Sequence, residues 1–133
     1  MTVVFVNGTF DILHPGHIQL LNTARSLGDY LTVAIDSDER VKQLKGPSRP
    51  INTEQDRKLM LENLKAVNEV LIFNSDKELE MIVNQCCPDV MMVGSDWQGK
   101  TIVGGQYAKH IEYFERINEY SSTKTIQDII NRR

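Results

Sequence analysis

Apolar residues follow two alternating rhythms along this chain. Short continuous runs alternate with longer stretches in which apolar residues recur every three or four positions. Val3 to Val6 is the first run. It is bounded by Asn7-Gly8 and reads as a strand buried on both faces. Leu20, Leu21, Ala24 and Leu27 then share one face of a helix from Gly16 to Leu27. Asn22, Arg25 and Ser26 lie opposite, and Gly28 supplies the stop. Leu31 to Ile35 is a second strand, and a short helix is predicted through Leu44.

Lys45 to Asn52, with Gly46, Pro47 and Pro50, reads as a loop rich in cations. Thr53 with Asp56 resembles a capping box opening a helix that carries Leu59, Met60 and Leu64. Val70 to Phe73 is a third strand. Ser75 and Glu78 repeat the capping pattern ahead of Leu79, Ile82, Val83 and Cys86, and Pro88 ends that helix. Val90 to Val93 is a fourth strand, followed by glycine-rich, irregular chain from Trp97 to Gly105. A short helix over Gln106 to His110 and a fifth strand over Ile111 to Phe114 complete the alternation. Ser121 or Ser122 caps a last helix with Ile126, Ile129 and Ile130 on its inner side.

Strands that are apolar on both faces, separated by helices, predict an α/β fold. Its parallel sheet of five strands is doubly wound, with helices on both faces. The expected unit is a single domain over residues 1–133. Ligands of such sheets bind beyond the carboxyl ends of the strands, where strand order reverses. The informative loops are therefore those after strands one, two, four and five.

Composition narrows the options. A formal net charge of −3 argues against nucleic acid and anionic membrane as partners. Cys86 and Cys87 are the only cysteines and are adjacent, which suits free thiols in a reducing cytosol better than a disulfide framework. No apolar run approaches the roughly 20 residues that span a bilayer. No basic flank or cleavage site marks a secretory signal, so a cytoplasmic location is expected.

The most pointed chemistry follows strand one: Gly8-Thr9-Phe10-Asp11, then His14-Pro15-Gly16-His17. Gly8 allows close backbone approach to a ligand. The two histidines enter the next helix, whose N-terminus offers unpaired N–H groups and partial positive charge to phosphate. Gly16 leaves space between them. Two histidines with Asp11 nearby could also suggest zinc, but such a site normally needs a further ligand, so no metal site is expected.

This order of residues resembles the signature of the cytidylyltransferase-like nucleotidyltransferases, which implies a Rossmann-like fold. Val6 to His14 and Leu44-Lys45-Gly46-Pro47-Ser48-Arg49-Pro50 are similar to the adenylyltransferase domain of bacterial ADP-heptose synthases. Gly94-Ser95-Asp96-Trp97-Gln98-Gly99-Lys100 looks more like the matching loop of glycerol-3-phosphate cytidylyltransferases. Both families carry an arginine shortly before a Ser-Thr-Thr segment, here Arg116 to Thr123. Glu119 stands where they usually have glycine, and Ser122 replaces a threonine.

The resemblance implies an in-line displacement in which an acceptor phosphate attacks the α-phosphate of ATP or CTP and pyrophosphate leaves. His14, His17, Lys45 and Arg116 would act on the phosphates. Gly8, Thr9, Phe10, Gly16, Gly94, Tyr120, Ser121 and Ser122 would bind the nucleotide. Candidates on the acceptor side are Asp11, Lys42, Arg49, Arg57 and Asp96. Asp11 either orients a histidine or positions Mg²⁺. Lys42 and Arg49 are either acceptor contacts or solvated loop charges. Arg57 either reaches the acceptor phosphate or pairs with Glu54 or Asp56. Asp96 either binds acceptor hydroxyls or caps a turn.

Mg²⁺ is the implied cofactor, a phosphorylated small molecule the acceptor, and a homodimer the implied assembly. The leading expectation is AMP transfer from ATP to a sugar phosphate resembling heptose 1-phosphate. CTP with glycerol 3-phosphate comes second, and a non-catalytic nucleotide-binding module is the alternative from another class.

Overall fold

The computed structural model describes residues 1–115 and 122–132. Five strands form one sheet: β1 (Val3–Gly8), β2 (Tyr30–Asp36), β3 (Glu69–Phe73), β4 (Val90–Gly94) and β5 (His110–Phe114). Their order is β3-β2-β1-β4-β5 and every neighbouring pair is parallel. The chain builds outward from β1 to β3, then crosses back to place β4 on the other side of β1. Strand order therefore reverses between β1 and β4, which is where this architecture opens a crevice.

The helices are α1 (Pro15–Ser26), α2 (Asp38–Lys45), α3 (Glu54–Glu62), α4 (Asp76–Cys86) and α5 (Ser122–Asn131). Alternation within each strand divides the core in two. Val4 and Val6 of β1, with Leu31, Val33 and Ile35 of β2, pack with Leu21 and Ala24 of α1 and Leu61 of α3. Phe5, Ala34 and Met91 face the opposite way and pack with Leu79 and Val83 of α4. The sheet is thus covered on both sides, as the continuous apolar runs predict. No helix among the described residues is long and apolar enough to cross a membrane.

Caps were readable from the sequence. The Thr53 side chain accepts the Asp56 N–H, and Ser75 accepts that of Glu78. Four local expectations change. Lys45 is the last residue of α2 and not a loop residue. The predicted helix at Gln106 to His110 is a single 3₁₀ turn at Gly105–Tyr107, and His110 already belongs to β5. Leu59 and Met60 are exposed, because the buried face of α3 carries Arg57 and Leu61. Ile129 and Ile130 of α5 are exposed too, while Ile126, the third member of the predicted inner face, is half-buried.

Candidate active site

A cavity of about 430 Å³ opens at the carboxyl edge of the sheet. Its floor is the end of β1, Val6 to Gly8, continuing into Thr9, Phe10 and Asp11. His14, Gly16 and His17 form the α1 wall, and Lys45 approaches from α2. Gly94 and Trp97 border it after β4, and Phe114 and Thr123 after β5.

The turn into α1 is tightly specified. Phe10 adopts a left-handed φ of 52° and buries its ring in the core. A Cβ on Gly8 would come within 2.9 Å of that ring, so glycine is what lets the turn close. A bulky residue held at positive φ stores local strain, a device found at functional sites.

His14 is the N-cap of α1, and His17 is its third helical residue. His14 Nδ1 accepts the His17 backbone N–H, and His17 Nδ1 accepts the His14 backbone N–H, both at 3.4 Å. This is a capping box made of two imidazoles instead of a hydroxyl and a carboxylate. Each Nδ1 is committed as an acceptor, so the neutral ring carries its proton on Nε2. The rings stack with centroids 3.8 Å apart, and Phe10 meets His17 at 5.1 Å. Burial lowers the His14 pKa and favours the neutral form. Two Nε2–H donors of fixed tautomer thus stand beside the N–H groups of a helix N-terminus, an arrangement suited to phosphate oxygens.

Acidic and basic residues around this wall are organised by buried arginines. Arg57 side-chain exposure is 0%. Its Nη1 donates to the carbonyls of Thr9 and Asp36, its Nε to that of Asn52, and its Nη2 to Asp38. It does not line the cavity, and it pairs with Asp38 instead of Glu54 or Asp56, its guanidinium enclosed by the loop after β1, the end of β2 and the 49–52 segment.

Arg49 is also buried, with Nε on Asp11 Oδ2 at 3.1 Å and Nη1 on Thr123. It is therefore not a solvated loop charge. The Asp11 carboxylate further accepts the backbone N–H groups of Ile51 and Asn52. Those contacts make it a latch between the loop after β1 and the 49–52 segment, with both oxygens turned to that segment instead of to a histidine.

Lys42 is exposed on α2, and Asp96 is exposed in the 3₁₀ turn after β4; neither lines the cavity. Arg116, Tyr120 and Ser121 lie outside the described residues, and Ser122 is the first residue of α5. The sequence reading missed a cluster on the β2 side of the cavity, where Arg40 binds both Asp36 and Asp76. Burial opposes the Arg40 charge, but its bonds to Asp76 and Asp36 outweigh that and raise its pKa. The DxxxR spacing of Asp36 and Arg40 was visible in the sequence; the third member, Asp76, was not.

A reversing parallel sheet with a histidine-capped helix at its crevice defines a class of nucleotide-handling proteins. The cytidylyltransferase-like family profile matches residues 5–128, and the chain belongs to that family of nucleotidyltransferases. It is 44% identical over 127 residues to the bifunctional protein HldE of Sulfurimonas denitrificans, and 45% identical over 127 residues to that of Helicobacter hepaticus. Each alignment takes in 96% of this chain and 26% of the relative, so the chain spans about a quarter of those proteins. Among solved structures, the lipopolysaccharide core biosynthesis protein from Thermoplasma volcanium GSS1 matches with a TM-score of 0.71 at 25% identity. That match covers 86% of this chain and 98% of the other.

Proposed function

We propose that residues 1–133 act as one nucleotidyltransferase domain that moves AMP from ATP to a sugar 1-phosphate of the heptose kind and releases pyrophosphate. The observation that carries the reading is the reciprocal histidine cap at the strand-order reversal. The resemblance of Val6 to His14 and Leu44 to Pro50 to the adenylyltransferase domain of ADP-heptose synthases supports the choice of ATP and a heptose phosphate.

An oxygen of the acceptor phosphate attacks the α-phosphorus of ATP. The bond from that phosphorus to the oxygen bridging to the β-phosphate breaks, and the electron pair leaves with pyrophosphate. No protein nucleophile is required, because the acceptor phosphate is already anionic at neutral pH. Catalysis reduces to alignment and charge stabilisation. His14 and His17 donate from Nε2 to oxygens of the transferring group. Lys45, at the mouth of the cavity, offsets charge building on the leaving group. Arg116, Tyr120, Ser121 and Ser122 are assigned to the nucleotide by resemblance.

Among the described residues, no three His, Cys, Asp or Glu side chains gather to hold a metal ion. With Asp11 committed to Arg49, the donor set fits Mg²⁺ arriving with the triphosphate better than a protein-held ion. When bound, that ion would neutralise phosphate charge.

Pyrophosphate release from ATP or CTP, each paired with heptose 1-phosphate or glycerol 3-phosphate, tests the proposal. ATP with heptose 1-phosphate is expected to be the preferred pair. Preference for CTP with glycerol 3-phosphate overturns the assignment of substrates, and no turnover with any pair favours a non-catalytic nucleotide-binding module.

A further inference from the structure

The cavity has a second polar wall that the phosphate chemistry does not use. Asp36 ends β2, Arg40 lies in the first turn of α2 and Asp76 opens α4, and all three line the cavity. Arg40 Nε donates to Asp36 Oδ1 at 2.8 Å, and Nη2 donates to Asp76 Oδ1. The guanidinium sits over the Phe73 ring, 5.3 Å from its centroid, with its side chain 18% exposed. Thr9 Oγ1 donates to the other Asp36 oxygen at 3.0 Å, which ties this wall to the loop leading to the histidines.

The two walls differ in sign. Around α1, a helix N-terminus and histidine donors favour anions. Around Arg40, two carboxylates face one guanidinium and leave a net negative charge. A polyphosphate is attracted by the first wall and repelled by the second. The second wall also lies on the β2–β3 side of β1, away from Gly94, Trp97 and Phe114 on the β4–β5 side. It suits the uncharged body of the second substrate. Its carboxylates have the capacity to accept bonds from hydroxyl groups, and Arg40 Nη1, which neither ion pair uses, has the capacity to donate one.

We propose that Asp36, Arg40 and Asp76 form the acceptor subsite: they hold hydroxyl groups of the sugar and select a body carrying a single phosphate over one with a second anionic group. This rests on the sugar-phosphate reading given above.

Steady-state kinetics with ATP and heptose 1-phosphate test it, using Asp76→Asn and Arg40→Gln. Each is expected to raise KM for the sugar phosphate about tenfold, the scale of one lost charge-assisted hydrogen bond, with KM for ATP changed less than about twofold. The Asp76 side chain is 66% exposed, so Asp76→Asn keeps the test open if Arg40→Gln folds poorly. Asp76→Lys is expected to shift kcat/KM about tenfold toward the same sugar carrying a second phosphate at its far end. If wild type turns over heptose 1-phosphate while these variants leave its KM unchanged, or raise both KM values alike, the subsite is overturned and the function stands. If wild type uses no sugar phosphate, the functional reading fails and the subsite with it.

Discussion

Asp11 and Arg49 lie 38 positions apart in the chain and form a buried ion pair at 3.1 Å. The Asp11 side chain is 1% exposed, and its carboxylate also accepts the N–H groups of Ile51 and Asn52. Asp11→Ala strands the Arg49 charge and two backbone donors together. The expected loss is about 3–5 kcal/mol of folding stability, the range for removing one partner of a buried pair. Urea unfolding measures it, and a loss below about 1 kcal/mol would count against the latch.

Arg57 ties the loop after β1, the end of β2 and the 49–52 segment together through the carbonyls of Thr9, Asp36 and Asn52. Arg57→Met fills similar volume but leaves those acceptors and the Asp38 carboxylate unpaired. A loss of about 3 kcal/mol or more is expected in the same unfolding assay. Arg57→Lys should recover only part of it, since one ammonium cannot span the fork.

The histidine cap separates stability from turnover. Asparagine is a good N-cap, so His14→Asn should keep α1 and change stability by less than about 1 kcal/mol. It lacks the imidazole Nε2–H, and turnover should fall at least about a hundredfold. His17→Ala should lose turnover on the same scale with its far-ultraviolet circular dichroism unchanged. Near-normal rates in either variant would falsify the phosphate role of that ring.

Lys45 is exposed at the end of α2 and lines the cavity. Lys45→Ala should leave the melting temperature within a few degrees of wild type. Single-turnover experiments should show the rate of AMP transfer falling by about tenfold or more, as expected for lost charge stabilisation on the leaving group.

Acidification should weaken the fold through His14. Burial lowers its folded pKa below the usual 6.5, so the unfolded chain takes up a proton first as pH falls. The contribution is fully present above 6.5 and is lost as pH drops from there through the lower folded pKa. A proton on Nδ1 would also oppose the His17 N–H that this atom accepts. Urea unfolding between pH 5 and 8 should show a steeper acid-side loss for wild type than for His14→Asn.

Burial rhythm made the layers of this protein legible. Runs such as Val3 to Val6 and Leu31 to Ile35 are apolar on both faces because both faces are covered. Thr53 and Ser75 marked helix starts because capping is local, reaching three residues along the chain. The histidine pair was legible for the same reason: its spacing and its place at a helix entrance are properties of one short segment.

The charged residues behaved differently. Arg57 lies in a helix among polar neighbours, and nothing local distinguishes a solvated arginine from one enclosed by carbonyls of distant segments. Its partner carbonyl at Thr9 is 48 positions away. Asp76 meets Arg40 across 36 positions, and Asp11 meets Arg49 across 38. By itself the sequence determined the alternation of strands and helices and the place of the histidine pair at the helix entrance after β1. Only the tertiary structure decided which charges are buried as struts and which line the cavity. A charge finds its partner through the packing of distant elements, and periodicity within one element carries no record of what is packed against it.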